Sequence, residues 1–251
     1  MTSLRLSGIV ILALLWSCGE HTPSAPQKNS GTPAIQPPTA TRDTAVLPTC
    51  SPAPNRLCPS DDGAADPSFD AFRKELMTAV EHKNEAELLK LIAPDVRTSF
   101  GDGGGVKEFQ SSWRTGSADS KLWPTLTTLL NLGGDFMGEG DGKSFWAPYV
   151  YSNWPESMDA FEHVAAVRAG VALHATPAAN APRVATVDWE ILKRMPKKTE
   201  DGQAGEWIKV KTANGVEGWV ATTDVYSPIG FRAGFSKRSG QWKLEALVAG
   251  D

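Results

Sequence analysis

Between Gly19 and Asp66 the chain runs for 48 residues without a Phe, Trp or Tyr, and this stretch holds nine of its 18 Pro. Such a segment cannot bury enough apolar area to offset the entropy of ordering it. It reads as a disordered, Pro-rich tether, extended at about 3 Å per residue. That confines the fold to the 185 residues from Pro67 onward, which carry every Trp except Trp16. Apolar residues are 41% of the chain, enough for those residues to build a core. The length suits one large or two small domains.

The residues before the tether read as an address. Arg5 gives a short positive region, and Gly8 to Trp16 is uninterrupted by charge. The run is far shorter than the roughly 20 residues a membrane-spanning helix needs, so residues 1–17 are expected to be a signal peptide. The run ends in Leu15-Trp16-Ser17-Cys18-Gly19. This resembles the lipobox of bacterial lipoproteins, with Leu at −3, a small residue at −1 and Cys at +1; Trp16 is bulkier than that family's usual −2 residue. The resemblance implies that Cys18 becomes an acylated N-terminus and anchors the chain to a membrane. More than one acyl chain is needed for stable anchoring. Gly19 is not the acidic residue that retains lipoproteins at the inner membrane in the enterobacterial rule, so the resemblance implies an outer-membrane lipoprotein facing the periplasm. With Cys18 acylated, Cys50 and Cys58 remain and are expected to form a disulfide, consistent with an oxidising envelope.

Charge narrows the function classes. There are 25 Lys plus Arg against 29 Asp plus Glu, a formal charge of −4. A nucleic-acid binder would show a basic surplus. Three Cys are too few for a disulfide scaffold, and four scattered His do not suggest a metal site. No cofactor is expected.

Residues 67–162 read as a helical α+β segment. Asp66-Pro67 is a capping residue followed by Pro at the first helical position. Phe69, Phe72, Leu76 and Val80 follow on one helical face. Asn84 starts a second helix, with Glu87 placed for a capping box and Pro94 at its end. Residues 95–100 alternate like a strand. Gly101 to Gly105 matches no phosphate-binding motif and reads as a turn. Val106–Trp113 and a segment capped by Ser120 read as two more helices. Asp135, Glu139 and Asp141 fail the EF-hand spacing. Asp95 beside Arg97 reads as a structural ion pair.

At His163 the periodicity changes to strand-like. Residues 163–167, 171–177, 183–192, 207–212 and 218–221 predict five short strands, with Asn214-Gly215 as a tight hairpin turn. This spacing suggests a small β-barrel. Residues 163–226 resemble a bacterial SH3-like (SH3b) domain, through Val171-x-Leu173-x-Ala175-x-Pro177, Trp207-Ile208-Lys209-Val210, the Asn-Gly turn and Gly218-Trp219-Val220. Ala172-Leu173-His174 departs from the family's usual Asn-Val-Arg, so ligand preference does not carry over there. The resemblance implies a barrel that binds cell-wall or peptide ligands or serves as an adaptor. Trp189, Trp207, Trp219 and Tyr226 are the candidate ligand-binding residues, because aromatic rings give large contact area. The same residues could equally fill the barrel core.

Residues 227–251 predict a β-hairpin across Arg238-Ser239-Gly240. Together with Arg232-Ala233-x-Phe235, Gly240-x-Trp242 and Val248-Ala249-Gly250-Asp251, the chain resembles bacterial envelope proteins that combine a helical segment, an SH3-like barrel and a closing hairpin. The expected architecture is therefore α+β. The hairpin is expected to complete the 67–162 domain, with the barrel inserted into it; the alternative is a hairpin that merely extends the barrel. The expected function is a non-catalytic envelope lipoprotein whose SH3-like module binds peptidoglycan, a peptide or a partner protein. Two alternatives stand beside it: a cell-wall hydrolase using acidic residues such as Asp95 and Glu139, and a small-ligand pocket in the α+β part. The folded part lacks a Cys nucleophile and a coherent His-Asp constellation, so no catalytic residue is assigned.

Overall fold

The computed structural model describes residues 49–101, 103–196 and 205–250. The signal segment and Cys18 lie outside the described residues. The chain is α+β, with N-terminal helices and two sheets.

The first sheet has five strands: β1 (Ile92–Arg97), β2 (Asp135–Met137), β3 (Ser144–Ala147), β11 (Arg232–Arg238) and β12 (Gln241–Val248). Their order is β1-β12-β11-β3-β2. The C-terminal hairpin thus forms its middle: β12 lies parallel to β1, and β11 antiparallel to β3. Four helices accompany it, α1 (Pro67–Glu81), α2 (Glu85–Leu91), α3 (Val106–Trp113) and α4 (Leu122–Asn131). Asp66 caps α1, accepting the amides of Ser68 and Phe69 at 2.9 and 3.2 Å. Asn84 caps α2 through the amide of Glu87. The spacing of 3 and 4 then turns Phe69, Phe72, Leu76 and Val80 inward, where they meet Leu122, Leu126, Phe145, Phe235, Trp242 and Leu244. Phe69 is the hub, 4.2 Å from Phe145 and 5.0 Å from Trp242 between ring centroids. Each such side chain contributes about 1.5–3 kcal/mol by leaving water.

The second sheet has seven strands: β4 (His163–Ala166), β5 (Val171–His174), β6 (Arg183–Val187), β7 (Ile191–Arg194), β8 (Trp207–Lys211), β9 (Glu217–Ala221) and β10 (Val225–Tyr226). The order is β10-β4-β7-β8-β9-β5-β6. Its core is aliphatic: Val164, Val171, Leu173, Leu192, Val210 and Val220. A short helix, α5 (Tyr149–Ser152), ends the first part of the chain after β3.

Three expectations are corrected. The five strands are seven: 183–192 is two strands broken at Trp189, whose φ is +50°, and Val225–Tyr226 adds a short seventh that pairs with β4. Among the described residues the sheet does not close into a barrel. The end strands are unsuited to closing it: β10 has two residues, and β6 buries only Val187 fully. The tether does not run to Asp66 as a disordered segment. Arg56 bridges Glu190, the Leu57 amide donates to the Trp189 carbonyl at 2.8 Å, and Asn55 accepts from the Ile191 amide at 2.7 Å. Leu57 is buried with Tyr149, Val150, Ala165 and Ile191. A disulfide joins Cys50 to Cys58. Further on, the Asp62 carboxylate accepts the Phe136 amide. One apolar side chain, backbone pairing and a crosslink order this stretch without any aromatic residue.

Candidate functional site

The β8–β9 hairpin sorts its side chains by alternation. Ile208 and Val210 on β8 and Val220 on β9 face the core. Trp207, Lys209 and Lys211 point the other way. The register pairs Lys209 with Trp219 and Lys211 with Glu217, and β5 adds His174 opposite Trp219. Trp207, Lys209, Lys211, Trp219 and His174 therefore share one face. Trp207 is half-buried and Trp219 is buried.

His174 fixes the Trp207 indole. Its Nδ1 lies 2.9 Å from the Ala181 carbonyl, which can only accept, so that nitrogen carries the proton. The imidazole then meets the indole edge-on, with centroids 5.4 Å apart. Beside it, Lys211 and Lys209 reach Glu217 at 3.0 and 3.5 Å. Lys211 first, and Lys209 after it, hold the Glu217 carboxyl below its ordinary range. One carboxylate against two ammonium groups leaves this strip net positive. Lys193, paired in register with Lys211 on β7, belongs to the same row and is bonded to Glu162 at 2.9 Å.

The four candidate aromatic residues separate. Trp207 alone is both on the outer face and partly open. Trp219 lies in the row between His174 and Lys209 and is buried there. Trp189 is 7% exposed at the β6–β7 corner, where its carbonyl holds Leu57. Tyr226 packs against apolar clusters of both sheets. Its hydroxyl donates to the Phe231 carbonyl at 2.6 Å, and burial pushes the phenol well above its ordinary pKa. Trp189 and Tyr226 thus hold the fold together rather than face solvent. The Lys residues of the strip were not singled out from the sequence. The signal was there: Trp-x-Lys-x-Lys on a strand puts all three side chains on one side.

The acidic residues of the first part do not converge. Asp95 is bonded to Arg238, at 3.3 Å, instead of Arg97. Asp135 accepts hydroxyl bonds from Ser60 and Ser152 at 2.7 and 2.8 Å. Among the described residues no cluster of three His, Cys, Asp or Glu is arranged to hold a metal ion. Two shallow clefts of similar size open elsewhere. The first, about 380 Å³, lies between α1 and β12 beside Phe72, Glu75 and Trp242; the second, about 390 Å³, lies beside Asn55, Asp188 and Asn214. Comparison with protein-family models, with characterised proteins and with solved structures finds no match for this chain.

Proposed function

We propose that this chain is a non-catalytic lipoprotein of the bacterial cell envelope, anchored through Cys18, whose second sheet is an SH3-like module that binds peptidoglycan or a cell-wall peptide. The supporting observation is the half-buried Trp207 held by His174 beside Lys209 and Lys211. An indole ring gives a stacking surface for a sugar or peptide plane. The neighbouring ammonium groups suit carboxylates, which muropeptides carry. Outer-membrane attachment facing the periplasm would place that surface against its ligand, and an SH3-like reading agrees with the Trp207–Val210 and Gly218–Val220 hairpin.

Co-sedimentation with purified peptidoglycan tests the reading. The whole chain is expected to pellet with the polymer. Trp207→Ala should weaken binding about thirtyfold, the size of a partner-contacting aromatic hot spot, and Lys209→Glu with Lys211→Glu should weaken it in a salt-dependent way. Equal sedimentation of the variants would remove the second sheet as the binding surface. Release of soluble muropeptides that stops in Asp95→Asn or Glu139→Gln would replace the non-catalytic reading with a hydrolase. For the anchor, labelled fatty acid should enter the wild-type chain and not Cys18→Ser.

A further inference from the structure

Arg232 is the most buried charged side chain of the described residues, 5% exposed, yet it takes part in no ion pair and no side-chain hydrogen bond among them. Its guanidinium carbon lies over two rings, 4.9 Å from the Phe100 centroid and 4.7 Å from the Tyr151 centroid. These cation–π contacts support the charge, but they do not pair the N–H fork with an acceptor. The five N–H groups lie in the guanidinium plane and point to its rim. A charge on a side chain this buried is normally met by a counter-ion. The described residues supply aromatic walls and no counter-ion, and the guanidinium nitrogens keep access to solvent.

The surroundings make a site of it. On β11, Ala233 and Phe235 point into the helix-covered core, so Arg232 and Gly234 point to the opposite face of the first sheet. Gly234 leaves that face low: a Cβ there would lie 2.7 Å from the Trp146 indole, which rests over the glycine. Trp146 in turn packs on Tyr151 at 5.3 Å. Phe100 is 51% exposed, so the stack is open on its side. The arrangement is a guanidinium rim at the base of an aromatic wall with one open side.

We propose that Arg232, walled by Phe100, Tyr151 and Trp146, is a binding site for a carboxylate monoanion attached to a small apolar or planar body. A carboxylate matches the guanidinium fork with two parallel bonds in one plane. A monoanion fits because Arg232 is the one cation stacked on either ring among the described residues. The aromatic wall suits the rest of such a molecule. This site is on the other sheet from Trp207 and does not depend on the peptidoglycan reading.

Titration of the whole chain with N-acetylphenylalanine, with inorganic phosphate as a second arm at matched ionic strength, tests the site through Trp fluorescence and calorimetry. Saturable binding of the carboxylate is expected. Arg232→Lys should weaken it about tenfold or more, because the fork is lost. Arg232→Met keeps the aliphatic stem and should abolish binding. Phe100→Ala changes an exposed residue and so keeps the fold, and it should weaken binding by removing one wall. Trp207→Ala should bind unchanged, which separates failure here from failure of the proposal for the second sheet. Undiminished binding by folded Arg232→Met, or no saturable binding by the folded parent chain, overturns the proposal. Saturable phosphate binding without carboxylate binding overturns the assigned ligand class.

Discussion

At Gly218 the chain has no room for a methyl group. A Cβ would sit 2.8 Å from a Val184 methyl and 2.9 Å from the Leu173 Cβ. Gly218→Ala is expected to cost about 1–3 kcal/mol through overpacking, read from the urea midpoint. Asp66 gives a prediction in pH. The Ser68 hydroxyl first, then the amides of Phe69 and Ser68, with Lys237 adding charge, outweigh desolvation and bring its carboxyl from 3.8 down to about 2. A carboxyl lowered by folding stabilises fully above its unfolded pKa and loses that contribution as pH falls through the folded one. Stability from this cap should therefore drop between about pH 4 and pH 2. Asp66→Ala should lose about 1 kcal/mol at neutral pH and should show a shallower acid transition in that window. Both residues were partly legible. The Asp-Pro pair identified the cap, and the Gly-Trp pair identified the strand, but no single residue type tells which Trp is covered. Trp207 and Trp219 share a face, and only their neighbours separate them.

The helices were read from caps and spacing because both are local. The break within 183–192 was not, because its cause is Trp189 at φ +50°, a conformation uncommon outside glycine that no composition signals. Nor was the docking of residues 55–57, since counting aromatic residues ignores backbone pairing and one well-placed Leu. That docked segment is testable as an element. Replacing Cys50 and Cys58 by Ser opens a loop with a sequence separation of 8, worth about 2.5 kcal/mol at most by chain entropy. The loss should be local. Amide exchange should speed up at Leu57 and Ile191, whose acceptors are Trp189 and Asn55, while Val220 in the β8–β9 hairpin stays protected. Equal acceleration at all three amides would mean that the crosslink supports the whole fold.

At the level of the whole molecule, the closing hairpin after the strand-rich stretch leads to the expectation of an insertion; in the structure β11 and β12 pair with β3 and β1 of the first sheet. Barrel closure was not legible, because it depends on pairing between end strands that alternation does not report. Two shortened chains follow from the topology. One that starts at Pro67 lacks the contacts of Leu57 and Asp62 and should melt several degrees below one that starts at Thr49. One that ends at Tyr226 lacks β11 and β12, and should lose the near-ultraviolet signal of the aromatic cluster around Phe69. The parallel pairing of β1 with β12 carries a consequence for biogenesis. Strand β12 follows every other strand in the chain, and the first sheet has no middle until it arrives. A polypeptide that emerges N-terminus first, from a ribosome or through a translocation pore, can cover the apolar side of α1 with α4 and β3 early, but the part facing Trp242 and Leu244 stays uncovered until β12 is out. Completion therefore waits on contacts distant in sequence, which makes it slow. During that interval the chain stays threadable, and it needs protection from aggregation.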